Sequence, residues 1–192
     1  KILEVYTEND IAGVSGAGYE VRGDNLANRW RQKFLAQNHG PNRIENPPFL
    51  FGICSTYRRS VLEEIGGFDP VFHTNGEDVE ICLRIRQKGY RLVYSPEAKV
   101  YHHRNDTLKS LRAMIYRWWF WGHKAHMKNE VPYFFKHLHE TWGMMKYITK
   151  TALMERQAML LPVNALFFLM AVWAIFAARW SGPPLTPKME RT

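Results

Sequence analysis

The sequence predicts an α/β domain over residues 1–105, followed by a helical C-terminal part directed at a membrane. Two observations carry this. Up to about residue 104, short apolar runs alternate with turns and helix patterns, as they do when strands and helices pack in layers. Beyond it the chain becomes helical, aromatic and basic, and then almost wholly apolar. The second part divides into an amphipathic helical region (106–157), an apolar helix (158–179) and a tail (180–192).

Each element has a local reason. Ile2, Leu3 and Tyr6 fit the end of a helix, and Ile11 to Val14 a short strand. Gly13, Gly16 and Gly18 suggest a loosely turning stretch after it. Asn25 to Gln37 sets Leu26, Trp30, Phe34 and Leu35 on one helical side, and Gly40-Pro41 stops it. Phe49 to Thr56 is an apolar run of strand length. A short helix over Ser60–Ile65 follows, with Ser60 as its cap and Gly66-Gly67 as its end. Asn75 to Lys88 is the clearest helix: Asn75 can cap it, and Asp78 sits where a carboxylate closes a capping box. Arg91–Tyr94 and Lys99–Tyr101 read as two short strands around a Ser95-Pro96 turn.

Composition narrows the partners. The 192 residues are 46% hydrophobic and 14% aromatic and carry a net charge of +8. Such a chain can bury a core, and its charge suits an anionic partner: nucleic acid, anionic lipid or a phosphorylated substrate. Cys54 and Cys82 form no CxxC and have no second pair, which excludes a zinc ribbon or a disulfide framework; they read as buried thiols. The chain begins at Lys1 rather than Met, so a fragment of a longer product is expected.

In the second part, Asp106 or Thr107 caps a helix with Leu108, Leu111, Ile115 and Trp118 at helical spacing. Arg112, Arg117, Lys124 and Lys128 take much of the remainder. An aromatic, basic, amphipathic helix suits a membrane interface, though a core-facing helix with a solvated basic face has the same pattern. Ala158 to Ala178 is broken only by Pro162 and Asn164. Roughly 21 residues, or about 30 Å of helix, match the hydrocarbon thickness, so a transmembrane helix is expected. Lys146, Lys150 and Arg156 before it balance Arg179, Lys188 and Arg191 after it, which leaves orientation open. His123, His126, His137 and His139 read as polar residues scattered over helix faces.

Glu77-Asp78 is the most informative pair. Adjacent carboxylates at a helix start face the positive end of the dipole, and an ionised one at a cleft rim can take a proton from an attacking hydroxyl. Taken alone, the pair is also an ordinary acidic helix start. Its company is more telling. The stretch Phe49–Arg59, then Ile65-Gly-Gly-Phe-Asp-Pro70, Gly76-Glu-Asp-Val-Glu80, Leu83-Arg-Ile-Arg86, Gly89-Tyr90, Tyr94-Ser-Pro96 and Val100-Tyr-His102 closely resembles the C-terminal half of family 2 glycosyltransferases, in order and spacing, over about residues 11–105.

The resemblance implies a partial GT-A (Rossmann-like) mixed sheet and sugar transfer from a nucleotide donor with inversion. It implies that Asp78 is the catalytic base and that Glu77 supports it. Gly52 matches the small residue where backbone approaches the substrates, and Phe68-Asp69 matches a loop leading to the acidic pair, with Phe68 as a buried aromatic. His102 aligns with a histidine that in some relatives binds the donor's metal, the rival reading being a strand-end histidine with a structural hydrogen bond; His103 is a weaker claimant. Arg117-Trp118 resembles the end of the QxxRW motif of processive synthases such as cellulose synthase, with Met114 at the glutamine position. There the motif contacts the diphosphate and the acceptor; the Met114 departure argues against a processive polymerase, and Arg117 is left to neutralise a leaving diphosphate, to meet an anionic lipid or to stay solvated.

Family members carry an Asp-x-Asp upstream that holds the divalent metal, magnesium or manganese, and none occurs here. The 192 residues alone are therefore expected to be inactive. The expected partners are a nucleotide-sugar, a lipid-linked or saccharide acceptor and membrane lipids. The expected location is the bacterial inner membrane, with the catalytic part cytoplasmic. Two rival readings share the composition. A nucleic-acid module fits the charge, but no nucleic-acid motif occurs. A non-catalytic membrane adaptor would keep the fold without the chemistry.

Overall fold

The computed structural model describes residues 1–72 and 74–184. Lys188 and Arg191, counted above as flanking cations, lie outside the described residues. Four strands form one mixed sheet in the order β2-β4-β1-β3. The central strands, β1 (Ile11–Glu20) and β4 (Arg91–His102), are parallel, while β2 (Ile44–Glu45) and β3 (Ser55–Tyr57) pair antiparallel at the edges. This is the α/β arrangement of a partial GT-A-like domain.

β1 is longer than its sequence suggests, and its glycines lie inside it rather than in a turning loop. A Cβ on Gly16 would fall 2.2 Å from the Ala98 carbonyl oxygen and 2.8 Å from the Cys54 sulfur. Gly13 and Gly18 are similarly crowded. The absent side chains let β4 and the 50–57 segment close over the strand.

β4 is likewise one strand and not two. Tyr94 pairs with Ser15 and Lys99 with Ala17, so residues 95–98 bulge opposite Gly16. β2 covers β4 only at Val93 and Tyr94, and Pro96, which has no N–H to give, stands where that flank is uncovered.

The helices differ from expectation mostly at their ends. The first 3-10 turn, Leu3–Val5, stands where a helix end is expected. α1 (Leu26–Phe34) stops three residues early, and its cap is the Asn25 side chain, which accepts the Asn28 N–H at 2.8 Å. The apolar run 49–56 is broken by a 3-10 turn at Gly52–Cys54, leaving only a short β3. α2 (Arg59–Glu64) is capped by Arg58 and not Ser60. The Arg58 guanidinium donates to the carbonyls of Ile11 and Glu8, which fixes the chain as extended one residue before the helix.

α3 (Glu77–Gln87) begins at Gly76, whose φ of +85° suits glycine; Asn75 does not cap it. A Cβ at Gly76 would also meet the Trp121 carbonyl at 2.8 Å.

Three long helices follow. α4 (Leu108–Lys128) is closed by a capping box between Thr107 and Ser110. α5 (Phe134–Met154) and α6 (Leu161–Trp180) form a hairpin against it. One helical core gathers Trp30 and Phe34 of α1, Leu111, Met114 and Ile115 of α4, Ile148 of α5 and Phe167 of α6. A second lies under the sheet, around Ala12, Leu50, Val61, Ile81, Ile85 and Leu92.

The four α4 cations named above do not share one solvated face. Arg112 is exposed, whereas Arg117 reaches Asn75, Lys124 is buried and donates to the Gly182 carbonyl, and Lys128 pairs with Asp69. Among the described residues one helix, Ala158–Trp180, is long and apolar enough to cross a membrane, with mean hydropathy 2.2.

Candidate active site

The acidic pair opens α3, where the first helical N–H groups are unpaired and the dipole is positive. Asp78 Oδ1 accepts the Val79 N–H at 2.8 Å, and the Gly52 N–H points at Oδ2 from 3.4 Å. A Cβ at Gly52 would stand 3.9 Å from both Asp78 Cβ and Glu77 Oε1. The 3-10 turn that breaks the 49–56 run thus lays exposed backbone against both carboxylates.

Burial pushes the Asp78 carboxyl up to about 6, and the neighbouring Glu77 charge adds to this. The two N–H groups work the other way. Glu77 Oε2 is buried and has no hydrogen-bond partner. A carboxylate with raised basicity beside an exposed backbone turn can accept a proton near neutral pH. Beneath it lies Cys82, buried, its thiol pushed up to about 12 by desolvation; Cys54 is only half-buried. Phe68, expected inside, is half exposed and meets the Tyr57 ring edge-on.

Arg117 joins this group through a residue the sequence offers only as a cap. Its Nε–H donates to Asn75 Oδ1 at 3.1 Å. Its other guanidinium nitrogens have no hydrogen-bond or ion-pair partner among the described residues.

Trp118 goes elsewhere. Its ring packs in the helical core, and the Arg31 guanidinium carbon lies 5.5 Å from its centroid. Met114, at the glutamine position of the synthase motif, is buried in the same core.

A second polar group stands at the ends of β1 and β4. Buried Arg31 bridges Glu20 at 2.7 Å and Asp106 at 3.4 Å, and His102 Nδ1 lies 3.0 Å from Glu20 Oε1. His102 is therefore a strand-end histidine held by a buried carboxylate, with Nε2 left over. Among the described residues no three His, Cys, Asp or Glu side chains converge as metal ligands. Sequence reasoning missed the Glu20–Arg31–Asp106 network, whose members come from a strand end, a helix and the residues before α4, which no local pattern joins.

Three of the four histidines of the helical part are gathered, while His139 is exposed. His123 and His137 are buried with their Nδ1 atoms 3.3 Å apart, and His126 stacks on Tyr133 with centroids 3.7 Å apart. Desolvation holds His123 down to about 4 and His137 to about 3, helped by neighbouring positive charge.

The chain is similar in sequence to several known proteins. The chain is 41% identical to an O-antigen chain rhamnosyltransferase of Salmonella anatum over 118 residues, which is 56% of this chain and 36% of that protein. It is 43% identical over 68 residues to a pre-mycofactocin glycosyltransferase of Mycobacterium tuberculosis (35% of this chain, 14% of the relative). It is 35% identical over 78 residues to the N-acetylglucosaminyl-diphospho-decaprenol L-rhamnosyltransferase of the same species (40% and 25%). The chain thus spans about a third or less of these relatives. The family model described as glycosyl transferase family group 2 matches residues 1–181. Over residues 1–181, from the first 3-10 turn to the end of the last helix, the chain belongs to that glycosyltransferase family.

Proposed function

We propose that this chain is the acceptor-side part of an inverting glycosyltransferase in which Asp78 is the general base. The observation that carries the reading is the Asp78 carboxylate itself, pushed up to about 6 and set against the Gly52 backbone. At neutral pH it is mostly ionised and still basic enough to matter. It would take the proton of an acceptor hydroxyl as that oxygen bonds to the anomeric carbon, while the bond from that carbon to the nucleotide diphosphate breaks on the opposite face. Glu77 would help orient the acceptor. Arg117, with part of its guanidinium unengaged, would meet the charge of the departing diphosphate.

The donor is a nucleotide-sugar and the acceptor a lipid-linked or polysaccharide chain; the rhamnosyltransferase relatives, one named for a decaprenol-linked substrate, support this class. A divalent metal would neutralise the diphosphate from ligands outside this chain. The reaction takes place at the cytoplasmic face of a bacterial inner membrane, to which the apolar C-terminal helix attaches the protein. Replacing Asp78 by Asn in the full-length enzyme tests the reading: transfer of labelled sugar should be lost, and undiminished transfer would remove Asp78 as the base.

A further inference from the structure

We infer that α6 lies in the plane of the membrane surface, as the outer edge of the α5–α6 hairpin, and does not cross the bilayer. The inference rests on the membrane attachment proposed above and concerns its geometry.

One stripe of α6 is taken up by the protein. Val163, Asn164, Phe167, Ala171 and Ala178 are buried. Asn164 Oδ1 accepts the indole N–H of Trp30 at 2.7 Å, so a polar group in the apolar run is bonded to α1 of the α/β domain. The far end is held too, because Lys124 of α4 donates to the Gly182 carbonyl just past the helix.

A helix that leaves the protein to cross a bilayer has only one end near its domain; α6 has both. If α6 did cross, α4, packed alongside it, would enter the hydrocarbon carrying Lys109, Arg112, Arg117, Lys124 and Lys128. Charges at that depth are costly and rare.

The opposite stripe is apolar. Leu169, Trp173 and Trp180 are more than half exposed, with Val172 and Phe176 between them. Exposed Trp142 of α5 lies against Phe168 of α6, and Phe135, Lys136, Lys146 and Lys150 of α5 and Arg179 of α6 are exposed on the same hairpin. An apolar stripe bordered by tryptophan and cations matches the acyl boundary of an anionic leaflet, with the cations at headgroup level.

The test places single cysteines at Lys150 and Ser181, both exposed, in the full chain with Cys54→Ser. Inner-membrane vesicles with the cytoplasmic face outward are treated with a membrane-impermeant maleimide. Buried Cys82 is the background control. An in-plane α6 gives labelling of both Lys150→Cys and Ser181→Cys without detergent. Labelling of Lys150→Cys alone, with Ser181→Cys reacting only after detergent, would establish a span and overturn the inference while leaving attachment intact. Recovery in the soluble fraction as a dimer that Trp173→Glu makes monomeric would assign the stripe to a second copy, and would overturn both attachment and its geometry.

Discussion

Asn75 Oδ1 holds the Arg117 guanidinium by its Nε–H, across 42 residues of sequence, immediately before the Gly76 turn that starts α3. One side chain therefore couples the position of a cation on α4 to the helix that carries the acidic pair.

Breaking that coupling should reduce transfer without unfolding the enzyme. Asn75→Ala in the full-length protein is expected to lower kcat/KM for the nucleotide-sugar about tenfold, the loss of one charge-assisted hydrogen bond. Arg117→Ala should cost more, and the double variant should lose less than the two losses combined. Strictly additive losses, measured by a double-mutant cycle, would uncouple the two residues.

Asp78→Asn should separate activity from stability. Transfer should fall by about 10²–10⁴-fold. The carboxyl ordinarily titrates near 3.8 and here near 6, so between those values the folded state binds more protons than the unfolded. Folding is therefore penalised as pH rises through that window, and the penalty is complete above 6. The Asn variant should be more stable at pH 7.5 by roughly 1–3 kcal/mol, a gain that disappears below pH 4. Thermal melts across pH check this, and the acid limb of kcat/KM in the parent should lie near 6.

Two glycines should respond in opposite ways. Gly52→Ala meets nothing closer than 3.9 Å and should fold normally, yet its methyl would stand 4.0 Å from Asp78 Oδ2 and obstruct an acceptor. Gly16→Ala puts a methyl 2.2 Å from the Ala98 carbonyl oxygen and should lose about 1–3 kcal/mol or fail to fold. Denaturant titration alongside transfer assays separates the two outcomes.

His137 should make the helical bundle sensitive to acid. Its folded proton affinity is depressed to about 3, so as pH falls below about 6.5 the unfolded chain binds the proton first and stability declines. His137→Leu should flatten the loss of melting temperature between pH 6.5 and 5. An unchanged slope would show that the imidazole is solvated.

Trp30→Phe keeps the ring but leaves Asn164 Oδ1 buried and unpaired. A loss of about 1–3 kcal/mol is expected in chemical denaturation.

The helix that Glu77-Asp78 opens is legible because an acidic start, an apolar stripe and a terminal glycine are local signals, whereas the turn at Gly52 is hidden inside an apolar run that reads as a strand. Asn75 was misread as a cap because its competing partner sits 42 residues away on another helix. β4 was divided in two because Ser95-Pro96 carries turn chemistry, and only the glycine opposite reveals that the sheet absorbs it as a bulge. The QxxRW resemblance groups Trp118 with Arg117, although consecutive residues on a helix point about 100° apart and here face different neighbours. The histidine cluster was invisible because its members come from two helices whose pairing no local pattern announces.

The Trp30–Asn164 bond also bears on how the protein can be cut. Composition changes at residue 104, yet the helical core threads α1 through α4 and α6. Trimming the chain there to obtain a tractable catalytic piece would strip the cover from Trp30 and Phe34 and leave Arg31 without Asp106. The truncated product should precipitate. A workable expression boundary lies after Trp180, with the outward tryptophans, not the whole helix, as the positions to make polar.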